Sequence, residues 1–166
     1  MNRKFRQTAL YRKSEEIFQT IRTITDLIPE DNIFLQETKA HLLENILIIQ
    51  AKLASGIPAR LWDQKMENAA IIRKNARELM VLYHNLTAFG FEEAKYYLIV
   101  REQLEEFRLL FREWVSTFNP KHFITDEWGL FNPPGIPQDY VQDDVELNFL
   151  DEDAGEDWLD DFEDDE

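Results

Sequence analysis

The chain predicts an all-α fold: an antiparallel up-down-up-down four-helix bundle followed by a disordered, acidic C-terminal tail. Three observations lead there. Tyr97, Val100, Leu104, Phe107, Phe111, Trp114 and Phe118 recur in alternating steps of three and four, which holds side chains on one face of a helix at about 3.5 residues per turn. Three earlier segments carry comparable apolar seams, so a stripe too large to leave in water has partners to cover it. Connections of only a few residues between the segments force neighbours to run antiparallel.

Each helix carries its own start and stop signals. Residues 1–13 are polar and basic and are expected to form an N-terminal arm. Ser14, followed by Glu15 and Glu16, has the chemistry of a helix start, with carboxylates in the first turn. Ile17, Ile21, Ile24 and Ile28 form the first seam, and Pro29 stops it. The second helix carries Leu35, Leu42, Ile46, Ile49 and Leu53, with Lys39 at the missing seam position. Ser55-Gly56 is expected to end it in a left-handed cap. The third spans about residues 60–88, with a seam of Ala69, Ile72, Ala76, Leu79, Tyr83 and Leu86. Gly90 separates it from a fourth helix over residues 91–118. The bundle therefore occupies residues 14–119. Leu43, Leu47 and Ile48 form an apolar flank of the second helix that is expected to seal a contact between subunits.

Charge divides the chain sharply. All 18 Lys and Arg lie at or before Lys121, and 16 Asp and Glu fall in residues 1–125, leaving that part at +2. Residues 126–166 carry the other 17 acidic groups and no Lys or Arg, hence −17. Within residues 120–166 the stretch from Asn132 through Pro133, Pro134 and Gly135 to Pro137 breaks any regular element. Beyond it, spaced apolar groups stand among carboxylates. Such a segment self-repels and buries too little to fold alone. Its aromatics Tyr140, Phe149, Trp158 and Phe162 are expected to dock on a basic partner surface with apolar pockets.

Little enzymatic chemistry is legible. There is no cysteine, so no disulfide, thiolate metal site or thiol nucleophile is available. His41, His84 and His122 lie on different segments without helical metal-ligand spacing, and neither a metal nor a cofactor is expected. No stretch has the roughly 20 apolar residues of a membrane span, and the basic N-terminus lacks a following apolar run, which predicts a soluble cytoplasmic protein. Arg77 and His84, seven apart and so on one face of the third helix, match the separation used by helical-bundle ribonucleases of the HEPN group, although Glu78 replaces the usual Asn, Asp or His after the Arg. A stronger signal is the basic edge of the third helix. Arg73 and Arg77 are one turn apart, with Lys74 beside them and Arg60 and Lys65 nearer the helix start; two guanidiniums about 6 Å apart can bridge phosphates or fork onto carboxylates.

Residues 11–118 resemble the four-helix-bundle family of 23S rRNA intervening-sequence proteins, which includes the accessory variability determinants of diversity-generating retroelements. The resemblance is carried by Leu27-Ile28-Pro29, by Ala54-Ser55-Gly56, by Arg60-Leu61-Trp62 opening the third helix, by Arg73-x-x-x-Arg77, and by the short Gly90-containing link to a long fourth helix. It implies a non-catalytic homo-oligomer, a pentameric ring or barrel, that serves as an adaptor to a reverse transcriptase and structured RNA. In it Arg60, Lys65, Arg73, Lys74 and Arg77 would contribute to the RNA- or partner-facing surface. This body is less basic than the retroelement proteins, and a tail of −17 repels nucleic acid unless a basic partner, or the bundle's own basic edge, sequesters it. The alternative is an interaction or inhibitor protein whose tail mimics nucleic acid.

Overall fold

The computed structural model describes residues 3–152, and within them every regular element is helical. These are α1 (Ala9–Thr25), α2 (Ile33–Gly56), α3 (Trp62–Val81), α4 (Tyr83–Ala88), α5 (Tyr97–Ser116) and α6 (Phe149–Glu152), with single-turn 3-10 segments at Arg3–Gln7 and Glu92–Tyr96. Contacts divide the chain into two compact units. The first is Met1–Ala59 with Glu67–Thr117; the second is Arg60–Met66 with Phe118–Glu166. The division differs from the one expected near residue 120, because the first turn of α3 groups with the C-terminal region.

In the first unit the predicted seams are the core. Ile17, Ile21, Leu42, Ile46, Ile49, Leu53, Ile72, Leu79, Leu86, Tyr97 and Val100 are fully buried. Each such aliphatic side chain contributes about 1.5–3 kcal/mol by leaving water. α1 packs on both α2 and α5. Lys13 of α1 is paired with Glu106 of α5 at 2.5 Å and with Glu16 at 2.6 Å. At the position of Lys39 the neighbouring Thr38 is buried, and Lys39 pairs with Asp26 at 3.0 Å.

Helix boundaries depart from expectation where a side chain outbids a local signal. α1 begins at Ala9, not Ser14, and the N-terminal arm is absorbed into the fold. Thr8 caps the helix by accepting from the Tyr11 amide at 3.2 Å, while Phe5, Leu10 and Tyr11 are buried, Phe5 and Tyr11 meeting edge to face. Ser14 is an interior residue that donates to the Tyr11 carbonyl. The third predicted helix is two: α3 ends at Val81 and α4 starts at Tyr83. The buried Tyr97 hydroxyl donates to the Leu79 carbonyl at 2.8 Å, the acceptor that a continuous helix would offer to the Tyr83 amide, and such an inserted donor is a recognised cause of a helix break. Gly90, at φ 79°, supplies the left-handed cap after α4, with the Phe91 amide donating to Leu86 at 2.9 Å.

Gly56 serves a different purpose from the predicted left-handed cap. It closes α2 without a positive φ, and a Cβ placed there would lie 2.8 Å from Asn68 Cβ and 3.2 Å from the Trp114 ring. Asn68 of α3 and Trp114 of α5 come too close to the Gly56 backbone for a side chain. Gly56→Ala is expected to cost about 1–3 kcal/mol through overpacking, seen as a lower thermal midpoint despite alanine's better helix propensity.

The second unit corrects the expectation of disorder for its described part. Asp126 accepts from the amides of Trp128 (3.0 Å), Leu130 (2.9 Å) and Phe131 (2.9 Å), and Asn132 Oδ1 accepts from the Asp126 amide at 2.7 Å. Gln142 ties this loop to its return strand of chain, donating to the Phe123 carbonyl at 2.7 Å and accepting from the Thr125 amide at 2.9 Å. Phe118 and Phe123 are buried, and Trp62 meets Phe118 edge to face. Side-chain acceptors replace secondary structure in satisfying the backbone, which is how an acidic, proline-interrupted stretch holds one conformation. The Phe131 amide, with those of Trp128 and Leu130, holds the Asp126 carboxyl below its ordinary value of 3.8. The loop is therefore fully stabilised above that value and loses this contribution as pH falls below it. Amide chemical shifts of Trp128, Leu130 and Phe131 are expected to titrate together in that acid range, and Asp126→Asn to abolish the concerted change.

Candidate functional site

The first unit holds a cleft of about 370 Å³ between α3 and α5. α3 presents Ile72, Ala76 and Met80 to it, and α5 presents Leu104, Phe107 and Phe111. The floor is apolar because both seams reach it: Ile72 and Phe107 are buried, while Ala76, Met80 and Phe111 are only half-covered. Ala76 contributes width, since a methyl fills less of the gap than its neighbours would.

Four arginines frame this floor. Arg73 and Arg77 line it from α3, and Arg108 and Arg112 line it from α5, each pair spaced one helical turn. All four are exposed. Glu105 is the one acidic group among the lining residues, and it forks onto Arg108, held by the Arg108 Nε–H at 2.9 Å and by a second contact from the same guanidinium. That fork holds the Glu105 carboxyl below its usual range. Arg73, Arg77 and Arg112 have no acidic partner among the described residues. Guanidiniums stay charged, are weakly hydrated, and offer planar forks to carboxylate or phosphate. An apolar floor with such a rim suits a ligand that is both anionic and partly apolar.

The structure sorts the predicted site residues. Arg73 and Arg77 are brought together with Arg108 and Arg112, a pair that sequence reasoning passed over although its i, i+4 spacing on the fourth helix repeats that of the first pair. Lys74 is exposed on α3 but does not line the cleft. Arg60 and Lys65 belong to the second unit, where the Lys65 ammonium sits 5.2 Å from the centre of the Phe118 ring and burial pulls its pKa down. They are not part of this arrangement.

Two of the aromatics expected to dock on a partner are used inside the second unit. The Tyr140 hydroxyl donates to Glu146 at 2.6 Å, and Phe149 stacks on His122 with ring centres 4.8 Å apart and planes within 7°. Trp158 and Phe162 lie outside the described residues. Trp128, which carried no expectation, is 94% exposed at the tip of the Asp126 loop.

Arg77 and His84 fall on two elements, α3 and α4, where the spacing predicted one continuous helix. Among the described residues no three His, Asp or Glu gather as a metal site requires, and no helix is long and apolar enough to cross a membrane. The apolar flank of α2 is present in part: Leu47 is half exposed, with Leu43 and Ile48 partly covered. Leu27, Tyr96 and Ile99 expose a second apolar patch between α1 and the start of α5. None of the known protein families, curated proteins or solved structures compared with this chain matches it.

Proposed function

We propose that the chain is a non-catalytic adaptor: an up-down-up-down helical bundle that assembles as a homo-oligomer and serves a reverse transcriptase or a similar nucleic-acid-processing partner. The observation that carries this reading is the α3/α5 cleft, in which three of four framing guanidiniums have no acidic partner. Like charges one turn apart repel each other, and a bound anion relieves that repulsion. Structured RNA supplies phosphates at fitting separations, and its exposed bases can meet an apolar floor. Assembly repeats the patch around a ring, and phosphate contacts sum. The exposed apolar groups Leu47, Leu27, Tyr96 and Ile99 are among the surfaces available to such assembly.

The test is salt-dependent binding of a structured RNA to the full chain, with light-scattering mass recorded on the same sample. Multimeric protein whose affinity falls steeply with salt supports the reading. A monomer that binds no RNA at low salt refutes it.

A further inference from the structure

The C-terminal segment 153–166 has the composition that the cleft lacks. It carries nine carboxylates and no basic group, and within five residues it holds Trp158, Leu159 and Phe162. Residues 76, 80, 107 and 111 line the cleft with apolar surface, and arginines frame it from both sides. An RNA ligand would satisfy the rim, but only an unpaired base could reach a floor of Met80, Phe107 and Phe111. An acidic peptide with aromatic and branched anchors satisfies both: rings and the Leu159 side chain exclude water from the floor, while flanking carboxylates fork onto Arg73, Arg77 and Arg112.

We propose that the cleft of one copy receives residues 153–166 of another copy. Receptor and ligand are then different surfaces of the same polypeptide, a heterologous head-to-tail contact that closes into a ring when the rotation between copies allows. The inference rests on the adaptor reading in one respect, its assembly into a homo-oligomer. It gives that assembly its contact and makes RNA or a partner's anionic surface compete with the segment for the same arginines.

The chain contains no cysteine, so introduced thiols report proximity cleanly. Full-length chains carrying Ala76→Cys are mixed with full-length chains carrying Ala154→Cys, which leaves the three anchors in place, and oxidised. Ala76→Cys is nearly volume-neutral at a half-covered position, and helicity of each variant is verified by circular dichroism. The expected product is a covalent heterodimer, exceeding by about tenfold the yield from an Ala88→Cys control at an exposed position outside the cleft, as an elevated effective concentration requires. Its yield is expected to fall with added salt and with Arg77→Glu/Arg112→Glu in the cleft-bearing copy.

A heterodimer yield equal to the control overturns the proposal. So does a chain bearing both thiols that bridges only within itself. Loss of the heterodimer alongside retained RNA binding leaves the adaptor reading intact and removes this inference alone. A heterodimer formed by a chain that binds no RNA supports the inference and counts against the adaptor reading. Excess synthetic peptide 153–166 is a second readout: it is expected to reduce the light-scattering mass of the full chain, and an unchanged mass counts against the contact.

Discussion

Replacing Tyr97 with alanine is expected to lower the free energy of unfolding by about 3–5 kcal/mol, measured as a drop in the urea midpoint with little change in slope. The residue is fully buried where α5 begins. Its ring stacks near Tyr83, centres 6.2 Å apart, and its hydroxyl reaches the Leu79 carbonyl at 2.8 Å. Truncation leaves a cavity at the junction of α3, α4 and α5 and removes the donor that marks the helix break. Tyr97→Phe isolates the hydrogen bond and is expected to cost about 1 kcal/mol. In that variant the Leu79 carbonyl is free to accept from the Tyr83 amide, so exchange of that amide should slow. Unchanged exchange would show that the break does not depend on the hydroxyl. Burial also pushes the phenol far above its ordinary value of 10.0. The folded state therefore holds the neutral form while the unfolded chain ionises, and stability declines as pH rises above 10, a decline that Tyr97→Phe should lessen.

The second large effect is on binding. Arg77→Glu combined with Arg112→Glu reverses one charge on each wall of the cleft. Affinity for structured RNA at low salt is expected to fall by roughly a hundredfold or more, and the dependence of binding on salt to flatten by about two phosphate contacts. Both residues are exposed, so the fold should survive, and relief of repulsion among the guanidiniums should leave thermal stability equal or slightly raised. Lys74→Glu is the matched control: it is on α3 but outside the cleft, and it should weaken binding less than either cleft residue. Equal losses from Lys74→Glu and Arg77→Glu would mean that a diffuse basic face binds, not the cleft.

The seams were legible because burial in a helical bundle imposes a period that composition cannot hide; Ile17 through Val100 lie where the spacing put them. What escaped were features decided by partners distant in sequence. Thr8 outranks Ser14 as a cap because Phe5 and Tyr11 bury beside it, and Gly56 is needed for Asn68 and Trp114, which no local pattern reveals. The break at Leu82 coincides with a hydrogen bond to Leu79 from a hydroxyl fifteen residues beyond the break. Half of the candidate site was visible in Arg73 and Arg77. The other half was hidden because Arg108 and Arg112 flank an aromatic stripe, and a pair of arginines beside a core seam looks like its ordinary solvated edge until a facing helix supplies a second pair. Acidity and prolines predicted disorder from Lys121, yet Asp126, Asn132 and Gln142 supply the hydrogen bonds that composition alone could not assign.

The Asp126 loop has a consequence for how the chain meets proteases. Trp128 stands clear of the protein surface, in the kind of position where a chymotrypsin-like enzyme would be expected to cut. Such enzymes accept a peptide only in extended form, and here three amides around the indole are folded back onto one carboxylate. Cleavage after Trp128 is expected to need an open loop, so with fast opening and closing its rate follows the population of the open form. The ionised aspartate is thus expected to slow digestion at an aromatic whose ring stays in contact with solvent, with Asp126→Asn cut faster after Trp128.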